Sequence, residues 1–130
     1  MDDSPSPDWR SAVADDAVGP AELIEVDLDD LELVAWRSFD GALTVCDARC
    51  PHQWSHLAFE GIVDGDELLC TAHFWRFDAD GRGSKLAMNG RRDPKSGVAT
   101  YPSRVRDGMI EVDVSRPVLL PEETVADQPL

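Results

Sequence analysis

Cysteine is scarce in this chain, bases are outnumbered, and no apolar run is long. Of 130 residues only three are cysteines (Cys46, Cys50 and Cys70), so the disulfide framework that staples small secreted domains is excluded. No stretch has the length and apolarity that a bilayer demands. The N-terminus opens Met1-Asp2-Asp3 without an apolar segment, so neither a signal peptide nor a membrane span is expected, and the reading is a soluble, cytoplasmic monomer. Twelve Lys and Arg face 26 Asp and Glu, a formal net charge of -14, which argues against nucleic acid as a partner. At 14.3 kDa the chain suits one domain with a real core and leaves no room for a second.

The charge is uneven. Residues 1–32 hold eleven acids against Arg10 alone, whereas residues 33–116 hold twelve acids and eleven bases. Within the balanced part a basic run extends from Arg82 to Arg106, interrupted by Asp93.

What is present is a set of metal-binding side chains in two short motifs. Cys50-Pro51-His52-Gln53 is a C-x-H pair, and Cys70-Thr71-Ala72-His73 is a C-x-x-H pair, with seventeen residues between His52 and Cys70. Two thiolates and two imidazoles can hold one zinc ion, or a two-iron, two-sulfur cluster with both thiolates on one iron and both imidazoles on the other. Zinc modules usually close each local pair on a single ion, whereas a mixed pair suits a two-metal cluster, because each loop gives its Cys to one iron and its His to the other. Cys46 is left as a small core residue. His56 is read as an ordinary exposed loop histidine, and Trp36 as core.

This ligand pattern resembles that of the Rieske iron-sulfur proteins over about Trp9 to Val114. The finer pattern, Cys50-Pro51-His52-Gln53 followed by Cys70-x-Ala72-His73-x-Trp75-x-Phe77, is similar to the Rieske ferredoxins of toluene-monooxygenase-type systems. The resemblance implies one 2Fe-2S cluster held by Cys50, His52, Cys70 and His73, with Trp75 and Gln53 as neighbours that tune it or pass electrons. Respiratory members carry a disulfide between their cluster loops; Ser55 and Ala72 stand at those positions here. Trp75 also stands where respiratory members place a potential-raising serine, so a potential at the low end of the Rieske range is expected. Phe74 replaces a glycine usual in the dioxygenase type, and Trp54 is unusual in the first loop.

The rest of the chain reads as all-β with short strands. Strands are expected at Trp9–Ala14, Glu22–Asp27, Leu31–Arg37, Ala42–Asp47, Ile62–Val63, Glu67–Cys70, Phe74–Asp78, Tyr101–Arg106 and Met109–Val114. Asp40-Gly41, Asp64-Gly65, Asp80-Gly81 and Asp107-Gly108 are turn signals. The segment 82–99, with Gly83, Gly90, Pro94 and Gly97, shows no clear period. Residues 1–8 are expected to be a flexible arm, 9–116 the iron-sulfur domain and 117–130 a tail. With the resemblance, the fold expected is the Rieske antiparallel β-sandwich with a small cluster-binding lobe.

An oxygen-activating iron site commonly needs two histidines and a carboxylate besides the cluster, and only His56 remains after the ligand pairs. The chain is therefore read as no enzyme but a one-electron carrier, a ferredoxin passing electrons from an NAD(P)H-dependent reductase to the terminal oxygenase of a di-iron monooxygenase. The alternatives are the ferredoxin of a Rieske aromatic-ring dioxygenase and, from a different class, a structural Rieske-like or zinc-binding subunit. Arg91 and Arg92 are candidates for the docking rim.

Overall fold

The computed structural model describes residues 6–51 and 54–121. Its strands are short, and most are joined by tight turns. They are β1 (Trp9–Ala14), β2 (Leu23–Leu28), β3 (Leu31–Arg37), β4 (Leu43–Asp47), β5 (Gly61–Asp64), β6 (Glu67–Cys70), β7 (Trp75–Phe77), β8 (Gly83–Leu86), β9 (Arg92–Lys95), β10 (Thr100–Tyr101), β11 (Ser103–Arg106) and β12 (Met109–Asp113). The one α-helix among the described residues is a single turn, α1 (Leu57–Glu60). All strand pairing is antiparallel, in three sheets ordered β1-β12-β11, β10-β4-β3-β2 and β5-β6-β7-β8-β9.

The middle sheet is covered on both faces, and β3 shows why. Leu33, Val34, Ala35 and Trp36 are all buried, yet neighbours on a strand point to opposite faces, so both faces must meet protein. Leu33 and Ala35 join Val45, Tyr101, Ile110 and Val112 in a core against the three-stranded sheet. Val34 and Trp36 join Cys46, Ala48, Cys50, Leu57, Leu68, Cys70, Phe77 and Val98 in a second core beneath the five-stranded sheet. Trp36 and Cys46 thus take the core places expected of them. Both cysteines of the ligand motifs lie in this second core.

Turn chemistry follows the sequence closely at one hairpin. Asp107 and Gly108 both have positive φ, the two-residue geometry that matches the twist of β11 and β12. The segment 82–99 departs from a loop. It forms the hairpin β8–β9, turned at Asn89-Gly90, and carries Val98 into the second core. Pro94 is tolerated there because β9 is the edge of its sheet, where a missing N–H costs no ladder bond. Among the described residues no helix is long and apolar enough to cross a membrane. Val118 exchanges two backbone hydrogen bonds with Thr100, so the chain beyond β12 returns to the middle sheet at that point.

Candidate metal centre

Two hairpins present the ligand motifs. Ala48 accepts from Leu57 N–H (2.7 Å) and Ser55 from Cys50 N–H (2.8 Å), so β4 runs directly into a hairpin whose tip is the first loop. The second loop follows β6, where Cys70 pairs with Gly61 of β5. Each loop closes in the same way. Trp54 N–H donates to the Cys50 carbonyl (2.8 Å), and Phe74 N–H donates to the Cys70 carbonyl (2.7 Å). In each, the residue four after the cysteine is left-handed, with φ of 62° at Trp54 and 63° at Phe74.

These matched turns bury the cysteines and expose the aromatics. Cys50 and Cys70 are 1% and 2% exposed and unbridged, while Trp54 and Phe74 are 68% and 59% exposed. A bulky residue at positive φ costs about 1–2 kcal/mol that glycine would not pay. Glycine at either place is therefore expected to raise stability by roughly 0.5–1 kcal/mol, after its own larger unfolded-state entropy is set against the gain. Thermal unfolding of Trp54→Gly and Phe74→Gly checks this, and a lowered midpoint would show that the exposed rings contribute packing.

His73 lies in the second loop, half-buried, three residues after Cys70. His52 and Gln53 fall outside the described residues. Among the described residues no group of three His, Cys, Asp or Glu side chains is placed to hold a metal ion, and His52, the fourth residue of the two motifs, lies outside them. Two buried cysteines at the heads of matched loops, with a histidine beside one of them, fit a cluster held between the loops. Cys46 is different. Burial pushes its thiol up to about 12, with Asp47 adding to the effect, which keeps it protonated in the core.

The surroundings sort the remaining expectations. Trp75 packs against the core that holds both cysteines, and the Lys95 ammonium sits 5.9 Å from its ring centre. Arg91 is exposed on the β8–β9 hairpin. Arg92, also exposed, is committed to Glu67, donating from both terminal nitrogens of its guanidinium; that hydrogen bonding, with Arg76 adding to it, holds the Glu67 carboxyl below its usual range. His56 is the feature that sequence reasoning missed. It is buried, not exposed: its Nδ1 accepts from Ala58 N–H (3.1 Å) at the start of α1. The signal was available, because His56 immediately precedes the short Leu57–Glu60 run before Gly61, although histidine is not among the favoured caps.

The family model for the Rieske [2Fe-2S] domain matches residues 8–102. The 4beta-methylsterol monooxygenase of Methylococcus capsulatus is 30% identical over 115 residues, covering 85% of this chain and 31% of that protein. The oxygenase component of the 3-ketosteroid-9-alpha-monooxygenase of Mycobacterium tuberculosis is 38% identical over 82 residues, covering 62% of this chain and 21% of that one. Among solved structures, apo dicamba monooxygenase superposes with a TM-score of 0.74 at 25% identity, over 85% of this chain and 34% of that chain. The chain spans less than a third of the length of the two curated relatives.

These relatives overturn one expectation. The shortage of histidines for an oxygen-activating iron predicts a chain that is no enzyme. The relatives are themselves oxygenases, and this chain matches 31%, 21% and 34% of their respective lengths. Their length extends well beyond the matched stretch, so the missing histidines do not set this chain apart from them.

Proposed function

Because the chain belongs to the Rieske [2Fe-2S] domain family, we propose that it is the electron-relay domain of a Rieske oxygenase, receiving one electron at a time from a reductase or ferredoxin and passing it to an oxygen-activating iron. The observation that carries this reading is the pair of matched cysteine-headed loops above one buried core. Cys50 and Cys70 would hold one iron, and His52 and His73 the other. The cluster supplies reversible one-electron chemistry: with two thiolates and two neutral imidazoles its oxidised form is formally neutral, so it accepts an electron more readily than an all-cysteine cluster.

The protein's own part is to bind, hold and exclude water. Both cysteines are buried in one core with Leu57, Leu68 and Phe77, which would keep solvent from the sulfur side of the cluster. Electrons would enter and leave on the loop side, where Trp54 and Phe74 stand out. The bases Lys85 and Arg91 lie on the β8–β9 hairpin beyond the second loop, with no ion pair among the described residues. Because Glu67 already engages Arg92, the docking role proposed for the basic rim rests on Arg91 more than on Arg92.

Spectroelectrochemistry tests the assignment without a partner protein. Trp75 in place of a hydroxyl donor predicts a potential in the lower part of the range of about -150 to +300 mV that Rieske centres span. A value near the top of that range would contradict service to an oxygenase fed from a nicotinamide.

A further inference from the structure

His56 and α1 sit between the two ligand loops and touch both. On one side, His56 is bridge-paired with Arg49, the residue before Cys50, and its neighbours Ser55 and Leu57 accept from and donate to Cys50 and Ala48. On the other side, the Glu60 carbonyl at the end of α1 accepts from both Thr71 N–H and Thr71 Oγ1, each at 2.7 Å, and Thr71 follows Cys70. Leu57 is buried in the same core as the two cysteines. Gly61, which ends α1, allows this fit because a Cβ there would overlap the Leu57 carbonyl.

The imidazole orders this single turn. A four-residue helix has too few internal hydrogen bonds to persist alone. Beyond the backbone bonds of the turn, in which the His56 carbonyl accepts from Phe59 and Glu60 N–H at 3.0 Å each, the imidazole adds a cap, its Nδ1 accepting from Ala58 N–H. With Nδ1 accepting, the ring proton sits on Nε2. That atom is buried and faces the Glu25 carboxylate of β2 at 3.2 Å, off the line of a hydrogen bond, with Glu32 of β3 at 3.9 Å. Glu32 in turn is forked by Arg49, whose other terminal nitrogen donates to the Trp54 carbonyl. The Phe59 ring lies 4.6 Å from the imidazole.

We infer that His56 is a positioning residue for the metal centre, fixing α1 as the spacer that sets the first ligand loop against the second and ties both to the middle sheet. The inference rests on the proposed cluster site for its consequence, but its structural half is independent of that reading. A nitrogen donor at His56 toward the metal is not part of it, since Nδ1 is occupied and Nε2 faces carboxylates.

The test compares His56→Ala, which removes the cap and the contact with Glu25, with His56→Asn, whose side-chain oxygen can restore the cap. Hydrogen–deuterium exchange on the full chain should show residues 57–61 and the Thr71 region exchanging roughly fivefold or more faster in His56→Ala, with β3 and β4 unchanged. In the same samples the EPR line shape after dithionite should change in His56→Ala and return toward the parent form in His56→Asn. Unchanged exchange at Thr71, uniform acceleration across β3 and β4, or failure of His56→Asn to restore the 57–61 segment would each overturn the inference. If the parent protein holds no labile sulfide, the cluster reading fails by itself, and the exchange arm still decides whether His56 couples the loops.

Discussion

Serine in place of Cys70 is expected to strip the chain of iron, lowering the bound amount by more than about tenfold, while alanine in place of Cys46 leaves it intact. The two thiols are 2% and 1% exposed and share one core, so burial does not distinguish them. Position does. Cys70 ends β6 at the head of a loop closed by Phe74 N–H, and Cys50 heads its counterpart closed by Trp54 N–H. Cys46 lies within β4, with a thiol raised by burial to about 12 and no loop around it. Serine keeps the size of cysteine but is a far poorer ligand for iron than a thiolate. Cys50→Ser, His52→Ala and His73→Ala should each lose or remodel the centre, whereas Cys46→Ala should cost only about 1 kcal/mol of packing. Iron and sulfide analysis of each variant checks the set. Loss of iron from Cys46→Ala with retention in Cys70→Ser would show that the ligands are misassigned.

Alanine at Gly97 is expected to be strongly destabilising, costing about 3 kcal/mol and lowering the unfolding midpoint by about 10 °C. The chain crosses itself here with backbones in contact. A Cβ on Gly97 would overlap the Gly81 carbonyl, one on Gly83 the Ser96 carbonyl, and one on Gly81 the Val98 carbonyl. Those carbonyls belong to backbone that has no side-chain freedom to yield, and Val98 N–H is bonded to Gly81 at 2.9 Å. The crossing returns the β8–β9 hairpin to the core and lets Ala99 accept from Asp47 N–H, so it also braces the strand that leads into the first loop. Gly90→Ala is the control. Nothing lies within 4 Å of a Cβ there, and its φ of 86° should cost only about 1–2 kcal/mol. Thermal unfolding followed by circular dichroism ranks the two, and a Gly97 variant no worse than the Gly90 variant would contradict the crossing.

Why part of the molecule could be read from sequence, and part could not, follows from where local chemistry decides. β1 and β3 fall where their residues predicted, and Asp107-Gly108 turns its hairpin through two left-handed residues. The Cys and His motifs stand out in the sequence because few residue types bind iron and their spacing is constrained. The β8–β9 hairpin does not. Arg92-Asp93-Pro94-Lys95 has neither alternation nor β-branched residues, and it is a strand only because β8 gives it an edge to pair with. His56 was misread for a related reason: its burial is decided by Glu25 and Glu32, which lie more than twenty residues earlier in the chain. The enzyme context of the relatives lay beyond any local signal, since an oxygen-activating iron commonly needs two histidines and only His56 remains here after the ligand pairs.

The measurement that bears most directly on the central claim is analysis of the purified chain for iron and acid-labile sulfide, with EPR before and after dithionite. Mixed Cys and His pairs on two matched loops predict two irons and two sulfides per chain, silence as isolated, and a rhombic signal on reduction. One zinc, no labile sulfide and no signal after dithionite would contradict it.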